Sequence, residues 1–134
     1  MGFSLQSRLT FFIMVMIITN QYHKLMLQTA EAPWSQAETQ SAHALFRKAY
    51  QRELDGLLAT VQAQASQITQ IDDLWKLHDF LSAKRHEIDG KYDDRQSVII
   101  FVFAQLLKEG LVQAEELTFL AADKQSKIKA LARL

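Results

Sequence analysis

The sequence predicts an all-α protein, and three observations support that prediction. The chain has 134 residues but only one proline and four glycines, so helix breakers are scarce for its length. Apolar residues account for 49% of it, which is enough to build one hydrophobic core. Apolar side chains also recur at steps of three and four residues, which is the period of an amphipathic helix.

The first helix of the main domain is predicted to begin just after Pro33. Ser35 and Glu38 have the spacing of a capping box, in which each side chain accepts a hydrogen bond from the other residue's backbone amide. Gly56 lies inside this helix at a cost of up to about 1 kcal/mol relative to alanine, which suggests a close helix contact there. One apolar stripe follows the helix: Phe46, Tyr50, Leu54, Leu57, Leu58, Val61, Ala65 and Ile68.

A second helix is predicted from Ile71 to Gly90. Asp72 and Asp73 are well placed at its start, because acidic side chains are stabilised at the positive end of the helix dipole. The linker before it is short, so the alternative of one continuous, kinked rod stays open. Its apolar face consists of Ile71, Leu74, Leu77, Leu81 and Ile88.

Three further helices are predicted, over residues 96–109, 114–120 and 123–134. The acids at 93–94 are expected to cap the first of them, and Gly110 to end it. Residues 98–104 are apolar all round, a pattern that also fits a buried strand. A helix is favoured because turn residues are missing and no second strand exists for pairing.

Residues 1–32 differ in composition from the rest of the chain. Leu9 to Thr19 is an almost unbroken apolar run, shorter than the roughly 20 residues that a membrane span needs. Three interpretations stay open: a start-site artefact or dispensable extension before a natural start at Met26, a signal peptide cleaved at residues 30–32, or a helix that packs on a partner. We expect an extension over residues 1–25 and one helical domain over residues 26–134.

Composition and motifs argue against catalysis. Lysine plus arginine and aspartate plus glutamate each number 15, so there is no general attraction for nucleic acids and little repulsion between copies. The chain lacks cysteine, and we find no metalloprotease, phosphate-binding or dinucleotide-binding motif. We therefore expect neither an enzyme nor a bound cofactor or metal. The histidines are too dispersed to act as ligands together: His23, His43, His78 and His86.

A helix-turn-helix DNA-binding protein is the alternative from the residues alone. Residues 106–131 loosely resemble that motif, and the last helix is basic. Few polar side chains there are placed to contact bases, so we prefer to interpret the basic residues as a solvated face. These residues are Lys124, Lys127, Lys129 and Arg133.

The most informative cluster lies on the helix predicted from Ile71. At about 100° per residue, a polar face adjoins the apolar stripe. A tryptophan among charged side chains is typical of a hot spot in a protein interface. The alternative is that Trp75 packs in the core of one chain while Asp79 and Arg85 form an ion pair. The polar face carries Trp75, His78, Asp79, Ser82, Arg85 and His86.

The segments WKLHDFLSAKR at residues 75–85, HEIDGKYDDRQSVIIFVFAQLLKEGL at residues 86–111 and EEL at residues 115–117 resemble the cyanobacterial fluorescence recovery protein family. The resemblance covers residues 26–134. It implies an elongated helical homodimer with a long stalk and a small C-terminal head, and leaves a tetramer open. Members bind the photoactivated, red form of the orange carotenoid protein, mainly through its C-terminal domain. They speed its return to the orange form and its release from the phycobilisome, which restores antenna fluorescence.

The resemblance also assigns residues and a location. Partner binding falls to Trp75, His78, Asp79 and Arg85, and less directly to Phe101 and Lys127 on the head, although Phe101 is equally compatible with the core. The dimer interface is expected at Leu74, Trp75, His78 and Leu81. We expect no nucleic acid partner. The implied location is cytoplasmic, near phycobilisomes on the thylakoid, with at most peripheral membrane association.

Overall fold

The computed structural model describes residues 5–28 and 33–134, with side chains described except at residues 22–28. The predicted all-α class is confirmed, because the described residues form helices and no strand. The chain divides into two compact units, residues 1–33 and residues 34–134. The helices are α1 (Leu5–Gln28), α2 (Gln36–Ala65), α3 (Ile71–Lys91), α4 (Ile99–Lys108) and α5 (Ala122–Ala132), with a 3₁₀ turn at Ala114–Leu117.

The first unit contains α1. The predicted apolar run from Leu9 is helical, and its large apolar side chains are exposed to solvent. No helix in the described part of the chain is both long enough and apolar enough to cross a bilayer. Met26 lies within α1, whereas the suggested cleavage site at residues 30–32 lies outside the described residues.

The start of α2 confirms the predicted capping box. The backbone nitrogen of Glu38 donates to Ser35 Oγ at 3.0 Å, and that of Ser35 donates to Glu38 Oε1 at 3.1 Å. The second half of the predicted stripe is only partly covered, and Leu58 is exposed. A Cβ atom at Gly56 would meet nothing within 4 Å, so this glycine makes no close helix contact within the chain.

Residues 66–70 separate α2 from α3, so the two helices do not form one kinked rod. The Asp73 carboxylate accepts hydrogen bonds from the backbone nitrogens of Thr69 and Gln70, at 3.1 and 3.3 Å, and from the Thr69 hydroxyl. The bond from the Thr69 backbone is the main cause of a lowered Asp73 pKa. Along α3, which the structure describes completely, Ile88 alone is buried, whereas Leu77 and Leu81 are half-buried and Ile71 and Leu74 are exposed.

The hydrophobic core lies between the first half of α2 and the C-terminal helices α4 and α5. We call residues 99–132 the head and residues 50–91, which span the second half of α2 and all of α3, the stalk. The segment that was apolar all round is helical, as predicted, because its neighbours enclose it on nearly every side. The core residues are Ala42, Leu45, Ala49, Ile99, Ile100, Val102, Phe103, Ala104, Leu106, Val112, Leu117, Leu120 and Ile128.

Two predicted helices are shorter than expected. Residues 96–98 form a turn, so α4 begins at Ile99, and Asp93 hydrogen-bonds Arg95 instead of capping the helix. The helix expected over residues 114–120 is the 3₁₀ turn Ala114–Leu117. Gly110 does end α4, as predicted: its φ of 76° lies in the left-handed region that glycine adopts without strain.

Glu116 connects the head to α2. Its carboxylate accepts two hydrogen bonds from the Arg52 guanidinium, both at 2.8 Å, and one from the backbone nitrogen of Gln113 at 3.0 Å. Lys48 adds an ion pair at 3.2 Å. The bonds from Arg52, followed by that from Gln113, lower the pKa of Glu116 to about 2. This carboxylate is therefore ionised at neutral pH and fixes the 3₁₀ turn against α2.

A second carboxylate connects the beginnings of α2 and α5. Glu38 Oε2 accepts a hydrogen bond from the backbone nitrogen of Ala121 at 3.0 Å and lies 3.3 Å from Lys124 Nζ. The backbone bonds from Ala121 and Ser35 lower the pKa of Glu38 to about 2. Lys124 is fully buried, with Nζ 5.3 Å from the centre of the Trp34 ring, so the prediction of a solvated basic face is wrong at this residue.

Candidate functional site

Trp75 lies on the second turn of α3, and its side chain is 56% exposed. The alternative of a core tryptophan is therefore wrong for this chain. We call Trp75, His78, Asp79 and Arg85 the Trp75 patch. Tryptophan is enriched among interface hot spots, since burying an exposed indole on a partner removes much apolar surface from solvent.

His78 and Asp79 lie beside the tryptophan. The imidazole meets the indole edge to face, with ring centroids 6.5 Å apart and planes at 87°. His78 Nδ1 is 3.2 Å from Asp79 Oδ1, and both side chains are largely exposed. Pairs this accessible contribute little to folding, so stability does not explain the cluster. The arrangement instead offers an aromatic surface bordered by hydrogen-bonding groups.

Arg85 extends the patch along α3. Its Nε lies 3.7 Å from Asp89 Oδ2, so the alternative of an ion pair with Asp79 is wrong. The guanidinium is highly exposed and lies about 15 Å along the helix from Trp75, given a rise of about 1.5 Å per residue. The patch is therefore an elongated strip, which fits a protein surface better than a small molecule.

An apolar seam adjoins the Trp75 patch. Leu74 is 42% exposed, Ile71 is also exposed, and Leu81 is half-buried. On α2, Leu58 is exposed as well. Exposed apolar residues beside a polar rim are the usual composition of a protein interface. The single chain leaves this seam without a cover.

The head carries a second exposed aromatic residue. Phe101 is 53% exposed, although its neighbours on α4 are buried, so the alternative that it belongs to the core is wrong. Lys127 Nζ on α5 lies 5.9 Å from the centre of its ring, within the range of a cation–π contact. The structure thus brings together the two head residues that were predicted to bind a partner.

Sequence reasoning missed a cluster where stalk and head meet. We call Glu53, Lys91, Tyr92 and Glu109 the junction. Lys91 is only 8% exposed, and its Nζ lies 2.7 Å from Glu53 Oε1 and 2.8 Å from Glu109 Oε2. Burial by itself lowers the pKa of Lys91, but the hydrogen bonds to Glu109 and Glu53 outweigh burial and raise it. These contacts join residues 18 and 38 positions apart, so no local spacing marks them.

The described surfaces show no convergent set of titratable side chains of the kind that catalysis requires. A cleft of about 270 Å³ at the α2–α3 elbow has Asp73 and Lys76 as its titratable side chains, and Asp73 is engaged in capping α3. Within residues 5–28 and 33–134, no three His, Cys, Asp or Glu side chains converge to hold a metal ion. Residues 109–121 separate α4 from α5, far more than the three or four residues of a helix-turn-helix turn.

Fold and site together define an all-helical protein with two exposed aromatic surfaces suited to protein binding. A family model described as photoprotection regulator fluorescence recovery protein matches residues 34–132. The chain belongs to the fluorescence recovery protein family, and its function is the regulation of photoprotection.

Two solved structures are close relatives. A mutant of the fluorescence recovery protein from Synechocystis sp PCC 6803 is 99% identical, with a TM-score of 0.74 over 76% of this chain and 100% of that chain. The fluorescence recovery protein of Fremyella diplosiphon is 51% identical, with the same TM-score and the same shares covered. Both likenesses agree with the helical fold described above.

Proposed function

We propose that this regulator acts by binding the photoactivated, red form of the orange carotenoid protein, mainly at its C-terminal domain. The Trp75 patch makes the principal contact, and Phe101 with Lys127 on the head makes a second one. Binding accelerates return to the orange form and promotes release from the phycobilisome, which restores antenna fluorescence. The chain makes and breaks no covalent bond in its partner.

One observation carries the proposal: Trp75 is 56% exposed, with His78 and Asp79 beside it, in a member of a photoprotection-regulator family. Neither the packing of α3 nor the stability of the chain requires an aromatic ring at that position. A rigid indole with polar neighbours can bury apolar area and still orient a partner through hydrogen bonds.

The physical requirement on the mechanism is differential binding. The red form reverts thermally, so the chain needs to bind conformations on the path to the orange form more tightly than the red form itself. Every 1.4 kcal/mol of such preference accelerates reversion about tenfold. No nucleotide, cofactor or metal is needed, because the carotenoid protein supplies the driving force.

We further propose that two copies pair through the apolar side of α3, with Leu74, Trp75, His78 and Leu81 in the interface. Support comes from the partial exposure of Leu74 and from a net charge of zero, which gives little repulsion between copies. A two-fold axis would place the same seam on both partners and a Trp75 patch at each edge. The dimer, or a tetramer built from it, would act in the cytoplasm beside thylakoid-bound phycobilisomes, with at most peripheral membrane association.

The test is the recovery of absorbance by purified red carotenoid protein in darkness. We expect Trp75→Leu and Asp79→Leu to reduce the acceleration about tenfold or more, because hot-spot substitutions cost about 2 kcal/mol or more of binding. Helicity by circular dichroism should stay unchanged, since both side chains are exposed.

Glu87→Leu is the matched control for Asp79→Leu, because it removes an exposed carboxylate from the same helix outside the patch. The control should accelerate recovery as the unmodified chain does. Normal recovery with Trp75→Leu or Asp79→Leu would contradict the assignment of the patch.

A further inference from the structure

One buried ammonium connects three elements at the junction. Lys91 is the last residue of α3, and its Nζ pairs with Glu53 on α2 at 2.7 Å. The same Nζ pairs with Glu109, the residue after α4, at 2.8 Å. Gln105 of α4 also donates a hydrogen bond to Glu109. The C-terminal end of α3 is therefore bonded both to α2 and to the head.

Tyr92, the residue after Lys91, is held by the same Glu53 carboxylate. Its hydroxyl donates to Glu53 Oε2 at 2.5 Å. Its ring meets Phe46 and Tyr50 of α2 edge to face, with centroids 5.1 and 5.0 Å apart. Glu53 thus accepts hydrogen bonds from two consecutive residues, and the chain leaves α3 in one defined direction.

A cluster of this kind is a poor means of adding stability. Removing charges from water is costly, and a hydrophobic replacement of similar volume is often as stable or more so. What charged hydrogen bonds with fixed partners do provide is one orientation. Residues 92–98 are the covalent link between α3 and α4, so contacts at this point determine how the head is directed relative to α3.

We infer that the junction is a positioning device, which holds the head surface (Phe101 and Lys127) and the Trp75 patch at the spacing that one partner molecule requires. The inference rests on the proposed function, in which both surfaces contact the carotenoid protein. Two linked contacts reinforce each other when their spacing matches the partner, and lose that gain when the link is loose. Glu53, Lys91, Tyr92 and Glu109 would then control binding without touching the partner.

The first experiment compares Glu109→Gln with Glu87→Gln in the dark-recovery assay. Glu109→Gln removes one of the two carboxylates around Lys91, whereas Glu87→Gln makes the same change in a surface ion pair with Lys84 that lies within α3. We expect Glu109→Gln to raise the concentration for half-maximal acceleration about fivefold or more, which is within the range of coupling between linked contacts. Glu87→Gln should leave that concentration unchanged, and equal behaviour of the two variants would overturn the inference.

The second experiment separates positioning from general destabilisation through a double-mutant cycle. Phe101→Ala removes the contact between the head and the partner. Without that contact, the spacing between the two surfaces no longer affects binding, so loosening the junction should have little effect. We expect Glu109→Gln to add less than about twofold in the Phe101→Ala background, compared with about fivefold in the unmodified chain. Fully additive effects would overturn the inference, since a structural defect weakens binding whether or not the head contact exists.

A third experiment measures the geometry directly. The chain contains no cysteine, so Ser82→Cys on the stalk and Ser126→Cys on the head, both at exposed positions, provide two unique sites for spin labels. With labelled chains diluted in unlabelled protein, Glu109→Gln should broaden the distance distribution. Tyr92→Phe, which removes only the hydroxyl bond to Glu53, should broaden it less. An unchanged distribution in both variants would refute a positioning role.

The two proposals can fail separately. If the Trp75→Leu and Phe101→Ala variants both accelerate recovery as the unmodified chain does, the proposed function fails, regardless of the result for Glu109→Gln. If Trp75→Leu and Phe101→Ala both weaken the acceleration, while Glu109→Gln and Glu87→Gln give the same concentration for half-maximal acceleration, only the positioning role fails.

Discussion

Glu38 and Glu116 each combine a local role with a contact far along the chain. Glu38 caps α2 and also bonds Ala121, 83 residues later. Glu116 accepts a bond from the nearby Gln113 and two from Arg52, 64 residues earlier. The local role of Glu38 follows from its spacing to Ser35, whereas the distant contacts depend on how helices pack. Sequence therefore predicted the cap and missed the second role of both carboxylates.

Lys124 shows which signal was overlooked. It lies four residues after Leu120 and four before Ile128, both of which are core residues. That spacing places it on the buried face of α5, where the long aliphatic stem of lysine can pack while Nζ meets Glu38. The helical period therefore predicts a buried Lys124, whereas its charge alone predicts a solvated one. For Trp75, by contrast, the same period predicts a position outside the apolar stripe of α3, and the ring is exposed.

The Glu116 carboxylate predicts a pH dependence of stability. Its pKa is about 2 in the folded chain against an ordinary 4.5. The ionised carboxylate therefore contributes its full stabilisation above about pH 4.5, and this contribution is lost as the pH falls through the folded pKa of about 2. We expect Glu116→Gln to lower the free energy of unfolding by about 1 kcal/mol at neutral pH, because solvent reaches the pair. Urea unfolding at several pH values should show this difference shrinking towards acid. Glu115→Gln, at the exposed neighbouring carboxylate, is the control, and a constant difference at all pH values would contradict the assignment.

At the scale of elements, the helices of residues 34–134 followed from pattern, but only some of their ends did. The stripe of α2 and its capping box specify one helix start without reference to the rest of the fold. The expected start of α4 was wrong, because Asp93 hydrogen-bonds Arg95 two residues later and the chain turns before the helix begins. A cap of that kind competes with another local bond, and spacing alone does not decide between them.

Gly56 gives a test at this scale. Because a Cβ there would meet nothing within 4 Å, Gly56→Ala should raise the free energy of unfolding by about 0.5–1 kcal/mol through helix propensity. Gly90→Ala, equally open but next to the end of α3, should gain less. The mass in solution should not change, since the proposed dimer seam lies on α3. Loss of the dimer in Gly56→Ala alone would show that this glycine packs against a second copy.

For the whole molecule, the sequence predicted the fold class, whereas the contacts that hold the helices together did not follow from it. Burial concentrates around the head, whereas the stalk beyond Tyr50 exposes Leu58, Leu74 and Trp75. Periodicity identifies an apolar stripe but does not say whether the same chain or a second copy covers it. The junction escaped prediction for a related reason, because its four residues meet only after α2, α3 and α4 have packed.

Leu74→Glu tests the proposed assembly. A charge in the seam would have to be buried without a partner in the dimer, and a two-fold axis would bring two such charges close together. We expect light scattering to show a monomer, with urea stability of the single chain changed by less than about 1 kcal/mol because Leu74 is 42% exposed. Leu134→Glu, the same change at an exposed leucine of the C-terminus, should keep the dimer mass.

The monomeric variant also distinguishes two roles for Trp75. If Leu74→Glu is monomeric and still accelerates recovery, the Trp75 patch acts by direct contact with the carotenoid protein. A role in maintaining the geometry of the dimer would then be excluded, because no dimer is present. If acceleration is lost, and Trp75→Leu remains a dimer yet is equally slow, both the patch and the assembly are required. A dimer that persists in Leu74→Glu would place the seam elsewhere, and the exposed apolar residues of α2 around Leu58 would be the next surface to change.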